Sequence, residues 1–181
     1  VGEASFYGPK ADFQIKSVTG REETASTNQI DLIMPKRFGL TYAGADGKEH
    51  PVAVIHRAPL GSHERFIAFL LENYAGELPT WLMPVQAIVI PISEKLNKYA
   101  EEVRKKLAEK EIRVETDDRN ESVGKKIREA ELQKIPYMLV VGEKEKKGKK
   151  VNVRKRGEKK QAAAALGTFL KKLQKEIADK K

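Results

Sequence analysis

The sequence has 181 residues, of which 40% are hydrophobic and 34% are charged, and it contains 35 Lys and Arg against 26 Asp and Glu. These values indicate a soluble chain of one large or two small domains, and they exclude a membrane protein because no window approaches the roughly 20 apolar residues of a spanning helix. Cysteine is absent, which excludes disulfides, thiol catalysis and any metal site that uses a cysteine of this chain.

The positive charge lies in the second half of the chain. Residues 1–81 contain 8 basic and 10 acidic residues, a net charge of −2, whereas residues 82–181 contain 27 and 16, a net charge of +11. Residues 134–160 alone carry 11 basic and 3 acidic residues. This excess favours contact with a polyanion; the alternative is a lysine-rich solvated surface.

The first elements along the chain have the pattern of an antiparallel sheet. Residues 13–16 alternate and residues 24–34 are rich in Thr and Ile, with a turn between them, which predicts a hairpin. Residues 51–55 predict a further short strand. After Ser62 the apolar spacing becomes helical, and we expect a well-buried helix that Gly76 ends.

No secretory signal or transit peptide is visible before these elements. The chain starts with Val1, and its first residues run directly into patterned sequence. We therefore expect a cytoplasmic chain that is a truncated part of a longer one.

Residues 77–84 contain two prolines and no periodic pattern, which predicts a boundary between a domain of residues 1–81 and one of residues 82–181. The second domain has the predicted order β-α-β-α-β-β-α. We expect strands at residues 85–91, 112–115, 137–141 and 150–154, with a polar hairpin loop at 142–148. We expect three helices: one that Ser93 caps, one over residues 122–134 and one from about Gln161. The predicted fold is therefore α/β and α+β, with a mixed sheet and a parallel, right-handed crossover.

The segment from Val54 to Phe66 carries the most specific chemistry. A buried strand delivers His56 at its end, Gly61 permits close backbone approach, and Arg65 follows on the first turn of a helix. A guanidinium held there suits the oxygens of a phosphate. The alternative is a salt bridge from Arg65 to a neighbouring carboxylate.

Residues 61–66 (Gly-Ser-His-Glu-Arg-Phe) resemble the third signature motif of class II aminoacyl-tRNA synthetases. Further blocks resemble the threonyl-tRNA synthetases in particular. In the first half they are residues 6–10, 35–42, 56–58, 74–76 and 81–86, and in the second half residues 118–121, 124–129 and 136–142 resemble the anticodon-binding domain of that family. The chain is thereby similar to the C-terminal part of these enzymes: the end of the catalytic domain followed by an anticodon-binding domain.

The resemblance implies roles for five residues of the first half. Arg65 matches the arginine that contacts the triphosphate of ATP, and Lys10 matches a lysine near the reacting carboxylate and phosphate. Gln29 and Ser62 match positions that line the amino-acid pocket. His56 matches the last of three zinc ligands, and its alternative is a satisfied polar residue at a strand end.

The implied cofactor is one zinc ion per active site in the complete enzyme, with ATP and magnesium as substrate. Zinc that binds the threonine hydroxyl excludes valine, which an apolar pocket cannot do. The sequence has neither the cysteine and histidine that would complete the zinc site nor the first two class II motifs. We therefore expect the 181-residue chain alone to be inactive, because one imidazole does not hold catalytic zinc.

In the second half, the positions that match anticodon contacts are Asn120, Arg128, Lys134, Glu145 and Arg154. Asn and Glu can discriminate base edges, while Arg and Lys supply charge and stacking. The alternative for Arg128 is an intrahelical pair with Glu131 or Glu121, and the alternative for Glu145 is a solvated turn.

The resemblance implies a parent enzyme that uses ATP to join threonine to tRNA(Thr), forms a homodimer and contacts no membrane. This chain would supply motif 3 and anticodon recognition. One alternative is a non-catalytic RNA-binding accessory protein derived from a synthetase. Another is a different class II synthetase, such as the prolyl or histidyl type.

Overall fold

The computed structural model describes residues 5–158 and 161–180, and the chain divides into two compact units between Gly76 and Glu77. The sequence pattern predicts this boundary after Trp81. Residues 77–81 belong with the second unit because Leu78 and Thr80 are buried, and the Thr80 hydroxyl donates to Glu176 in the last helix.

The first unit contains a three-stranded antiparallel sheet and a two-stranded hairpin. Its elements are β1 (Lys10–Lys16), β2 (Glu22–Asp31), α1 (Met34–Arg37), β3 (Thr41–Ala43), β4 (Glu49–Pro51), β5 (Val54–Ala58) and α2 (His63–Asn73). The sheet has the order β1-β2-β5, and the predicted hairpin is β1 with β2. The strand predicted over residues 51–55 is wrong in its bounds: β4 ends at Pro51, which has no N–H for a ladder bond, and β5 starts at Val54.

Helix α2 follows Ser62 as predicted, but the expectation that it is well buried is wrong. None of its residues is buried, and Ile67 is 54% exposed. Phe66 and Phe69 lie near Ile15 and Ala25 of the sheet. A sheet of three strands covers only part of a helix with so wide an apolar face, so the rest of that face is left exposed.

The second unit is a mixed five-stranded sheet with helices on both faces, which confirms the predicted fold class. Its elements are β6 (Ala87–Pro91), a 3₁₀ turn (Glu94–Leu96), α3 (Asn97–Ala108), β7 (Val114–Thr116), α4 (Val123–Leu132), β8 (Tyr137–Val141), α5 (Glu143–Gly148), β9 (Lys150–Lys155), β10 (Gln161–Ala165) and α6 (Leu166–Ala178). The order is β10-β9-β8-β6-β7, with β6 parallel to β7 and β8 and the other pairs antiparallel. No helix of the described residues is both long and apolar enough to cross a membrane.

The core of the second unit has two parts because β6 is buried on both faces. On one face, Ala87 and Val89 lie in a cluster with residues of α3 and α6, such as Val103 and Phe169. On the other face, Ile88 and Ile90 lie with Ala130 of α4 and with Ile135 and Met138. Helices α3 and α6 thus cover one side of the sheet and α4 the other.

Two predicted elements near the C-terminus are wrong. The helix expected from about Gln161 begins at Leu166, because Gln161–Ala165 pairs with β9 as strand β10. The hairpin loop expected at residues 142–148 is largely the short helix α5, whose first turn is fixed by a bond from the Gly142 N–H to the Glu145 carboxylate, 3.0 Å. The predicted order therefore gains one short helix and one strand.

Smaller differences concern helix ends and faces. The Ser93 side chain makes no capping bond, and a 3₁₀ turn precedes α3. In α4 the apolar Leu132 is 69% exposed, whereas Lys126 is buried. The Lys126 ammonium is satisfied there, since it donates to the Asp117 carbonyl at 2.9 Å.

Candidate functional site

The sheet of the first unit brings three of the predicted site residues side by side. Lys10 on β1 pairs with Gln29 on β2, and Gln29 pairs with His56 on β5. Residues directly opposite each other on antiparallel strands place their side chains on the same face of the sheet. The three side chains therefore form a row across one face.

Gln29 is the centre of this row and has unused hydrogen-bonding capacity. Its Oε1 accepts from the Tyr7 hydroxyl at 3.2 Å, and its buried Nε2 has no hydrogen-bond partner among the described residues. The Tyr7 ring also stands edge-on to the His56 ring, with centroids 6.3 Å apart. A buried N–H without a partner is unfavourable, so this amide is suited to donate to an oxygen of a ligand.

His56 is held by the carboxylate of Asp31, which the sequence pattern did not predict as part of the site. Its Nε2 lies 3.2 Å from Oδ2 of Asp31, whose side chain is 4% exposed, while the other oxygen accepts from the Ile33 and Met34 N–H groups at 3.0 and 2.9 Å. Burial raises the pKa of Asp31, but the bonds from Met34, His56 and Ile33 outweigh it and hold that pKa below its ordinary value. Asp31 is an anion that orients the imidazole. The alternation of side chains along β2 could have suggested Asp31, because residues two positions apart on a strand, such as Gln29 and Asp31, lie on the same face of the sheet.

These residues do not fit a zinc site. Among residues 5–158 and 161–180, no group of three or more His, Cys, Asp or Glu side chains could hold a metal ion. His56 and Asp31 supply one imidazole and one carboxylate, and both oxygens of that carboxylate accept hydrogen bonds. A catalytic zinc site needs about three protein ligands.

Ser62 and Arg65 lie at the start of α2, directly after β5. The Ser62 Oγ accepts from the Arg65 backbone N–H at 3.3 Å, so Ser62 is the N-cap of the helix. The Arg65 side chain is exposed and makes no ion pair with any described residue, so the salt bridge considered as its alternative is not observed. Lys10 is paired with Asp12 at 2.8 Å.

In the second unit, Asn120 lies in the loop between β7 and α4. It is exposed, and its amide makes no hydrogen bond within the described part of the chain. The loop is fixed by its neighbour Arg119, which donates to Asp117 at 2.7 and 2.8 Å and to Glu129 at 2.6 Å. These bonds lower the pKa of Asp117 against its desolvation and raise the pKa of Arg119.

Arg128 projects from α4 and is exposed. The carboxylates considered as its alternative partners are used elsewhere: Glu131 pairs with Arg154 at 2.6 Å, and Glu121 pairs with Lys125 at 2.5 Å. Among the described residues Arg128 has no ion-pair partner. Its guanidinium is therefore available for a ligand.

Lys134 follows the end of α4 with φ 61°, a left-handed conformation. Its Nζ lies 2.9 Å from a Glu77 oxygen. The Arg156 side chain donates to the carbonyls of Lys134, Glu77 and Leu78, which ties the same turn to the start of the unit.

The five predicted anticodon residues are only partly brought together. Arg128 lies on α4, and so does Glu131, the carboxylate that pairs with Arg154. Lys134 follows the end of the same helix. Glu145 lies apart in α5, where its carboxylate caps the first turn, so neither the expected hairpin loop nor the alternative of a solvated turn is observed.

The second unit is a mixed α/β module that carries the exposed guanidinium of Arg128. Residues 86–176 match the family described as anticodon binding domain, and the chain belongs to that family. Residues 2–74 match the model of the tRNA synthetase class II core domain (G, H, P, S and T). The two matches correspond to the two compact units.

The chain is similar to threonine–tRNA ligases through both units. It is 51% identical to the threonine–tRNA ligase of Porphyromonas gingivalis over 178 residues, and this alignment covers 98% of the chain. It is 54% identical to threonine–tRNA ligase 1 of Bacillus subtilis over 172 residues, and this alignment covers 94% of the chain. It spans 27% of the length of each of these relatives. The resemblance to the threonyl-tRNA synthetases is thus confirmed.

A solved structure has the same fold. The RNA binding domain of threonyl-tRNA synthetase from Cryptosporidium parvum Iowa II superposes with a TM-score of 0.88 at 39% identity, and the match covers 97% of this chain and 44% of that one.

Proposed function

We propose that the chain is part of a threonine–tRNA ligase, which uses ATP to join threonine to tRNA(Thr). The observation that carries this proposal is one continuous similarity, over 98% of the chain, to a ligase of that name. An accessory protein that only binds RNA would not need the row formed by Lys10, Gln29 and His56 or the free guanidinium of Arg65. The parent enzyme is proposed to be a cytoplasmic homodimer.

The second unit is proposed to hold the anticodon loop. Arg128 has no competing carboxylate, and the Asn120 amide is exposed on a loop that Arg119 fixes, so both can meet splayed bases and phosphates at little conformational cost. Arg154 and Lys134 are held by Glu131 and Glu77, which orient them before RNA binds. Glu145 can offer a base the carboxylate oxygen that does not cap α5.

The first unit is proposed to contribute part of the aminoacylation site. The unpartnered Nε2 of Gln29 can donate to an oxygen of the amino acid, and Tyr7 fixes the orientation of the amide. Ser62 presents its hydroxyl at the start of α2, one turn before Arg65, whose fork suits the phosphates of ATP bound with magnesium. No step is assigned to zinc, since the described residues do not form its ligand set.

Anticodon recognition is tested with two stem-loop RNAs that differ only in the anticodon. We expect the 181-residue chain to bind the threonine stem-loop more tightly than an unrelated one, with a steep dependence on salt. Asn120→Ala should reduce this preference, whereas Gln174→Ala, at an exposed amide of α6, should not change it. Equal affinity of the wild-type chain for the two RNAs would contradict the proposal and leave only a basic surface.

The catalytic proposal has a separate test. The 181 residues alone are expected not to form threonyl-adenylate, because they supply one histidine of the implied ligand set and only the third class II motif. Threonine-dependent exchange of pyrophosphate into ATP measures this directly. Turnover well above background would contradict the expectation.

A further inference from the structure

A cavity of about 390 Å³ lies in the second unit, between α3, the helix α5 and the start of α6. We call it the lysine pocket. Five lysines from two segments of the chain line it: Lys95, Lys98, Lys106, Lys146 and Lys149. None of the predicted anticodon residues lines it.

The lysines of the pocket are not paired with carboxylates in the part of the chain that the structure describes. None of its five lysines forms an ion pair with a described residue, whereas Lys125, Lys134 and Arg154 are each paired with a carboxylate. Glu102 is the one acidic residue of the lining. Several ammonium groups that converge on one cavity repel each other, and an anion that enters relieves this repulsion.

The floor of the pocket is rigid and offers little directional bonding. The Tyr99 hydroxyl donates to the Lys150 carbonyl at 2.8 Å, which fixes the ring and occupies its proton. Val103 and Leu166 are buried in the core. Burial raises the pKa of Tyr99, with further contributions from Glu102 and Glu145, so the phenol stays neutral. Recognition must therefore come from the lysine charges.

The lysines are spaced for a ligand with repeated charges. Lys98 and Lys106 lie two turns apart on one face of α3, about 12 Å at 1.5 Å per residue. Lys146 and Lys149 lie on the opposite wall, at the C-terminal end of α5. An ammonium is a compact charge without the planar fork that pairs with one carboxylate, so a chain of phosphates fits this arrangement.

We propose that the lysine pocket binds consecutive phosphate groups, those of an RNA backbone or of a free polyphosphate anion. We expect the binding to depend little on base identity, because the five exposed lysines are flexible point charges rather than fixed pairs of donors and acceptors. The site goes beyond the proposed anticodon recognition and does not depend on it.

The test compares two triple variants of the 181-residue chain. Lys98→Gln, Lys106→Gln and Lys146→Gln remove three charges from the pocket, and Lys110→Gln, Lys171→Gln and Lys175→Gln remove three from exposed positions elsewhere on the same unit. Binding of a stem-loop RNA with an unrelated anticodon is measured against salt concentration, and inorganic triphosphate is titrated separately by calorimetry. Circular dichroism and thermal midpoints establish that both variants fold.

For the pocket variant, we expect the slope of log affinity against log salt to become less steep by about 2, at roughly 0.7 per phosphate contact. The control variant should keep a slope near that of the wild type. If the pocket variant has a less steep salt slope for RNA but binds triphosphate like the wild type, the pocket binds an RNA backbone. If the variant also loses affinity for triphosphate, the pocket binds free polyphosphate anions as well. The proposal would be overturned if both variants kept the same salt slope and the same affinity for triphosphate. Competition by a polyglutamate peptide as strong as that by RNA would also overturn it.

Discussion

The Arg154 guanidinium lies 2.6 Å from Oε1 of Glu131, which ties strand β9 to helix α4. The Nε of Arg154 donates to the same oxygen at 3.1 Å. Two bonds to one carboxylate fix the plane of the guanidinium, so its remaining N–H groups point in one direction. Glu131 thus positions a cation that is proposed to contact RNA.

The variant Glu131→Gln tests this positioning. We expect affinity for stem-loop RNA to rise about two- to fivefold, because a competing carboxylate of an exposed ion pair is removed. The preference for the threonine anticodon should fall, since Arg154 loses its fixed orientation. Fluorescence anisotropy with the threonine and the unrelated stem-loop measures both effects.

Glu109→Gln is the matched control for this variant, because it removes an exposed carboxylate of the same unit that has no described ion-pair partner. It should leave the preference between the two RNAs unchanged. An unchanged preference in Glu131→Gln as well would show that the pair with Arg154 has no positioning role.

Lys134 allows RNA contact to be separated from folding. Its φ of 61° is strained for a residue with a Cβ, and glycine is favoured directly after a helix end. We expect Lys134→Gly to keep or raise the thermal midpoint, because relief of strain offsets the lost exposed pair with Glu77. RNA affinity should fall, with a salt slope less steep by about 0.7.

The control for the backbone effect is Glu111→Gly, at φ 58° after α3. It should also preserve the thermal midpoint, but without a loss of RNA affinity. A Lys134→Gly variant that binds RNA like the wild type would remove Lys134 from the set of proposed contacts.

Local patterns in the sequence predicted much of the second unit. The strand expected at residues 137–141 has the observed bounds, and the helix expected over 122–134 is observed as α4, which Ser122 caps. Residues 161–165 were predicted wrongly because four alanines favour a helix, while pairing with β9 makes them a strand. Pairing of this kind depends on tertiary structure rather than on local propensity.

In the candidate sites, too, the sequence motifs predicted single residues but not the contacts that depend on tertiary structure. The family motifs identified His56 and Gln29, which the sheet register places side by side. They did not identify Asp31, whose carboxylate contacts His56 although the two residues are 25 positions apart in the sequence. They also did not identify the carboxylates that pair with Lys134 and Arg154. A family motif predicts which side chain contacts a ligand. The residue of the protein that pairs with this side chain depends on strand register and helix packing, which the motif does not contain.

The buried carboxylate of Asp117 predicts a pH-dependent contribution to stability. Its pKa lies below the ordinary value because the Arg119 bonds outweigh desolvation, so its stabilising effect is complete above about pH 4 and is lost as the pH falls through the lowered pKa. We expect Asp117→Asn to reduce the free energy of unfolding by about 1–3 kcal/mol at pH 7. The difference from the wild type should shrink below pH 4.

Urea unfolding at pH 7 and near pH 3 measures this difference. Asp118→Asn, in the same loop but exposed, is the control and should change stability by less than about 0.5 kcal/mol. A difference for Asp117→Asn that stays constant across this range would mean that the carboxylate is not stabilised by Arg119.

Ser62 combines a structural role with its proposed place in the amino-acid pocket. Its Oγ accepts the Arg65 N–H at the start of α2, and Ser122 does the same for Lys125 at the start of α4. We expect Ser62→Ala to destabilise α2 by about 1 kcal/mol, because an orphan N–H loses its acceptor, whereas Ser62→Asp should retain the cap. Hydrogen exchange of the first-turn amides of α2 measures the loss. Ser122→Ala should accelerate exchange in α4 and leave α2 unchanged; slow exchange of the Arg65 amide in Ser62→Ala would mean that this N–H has another acceptor in solution.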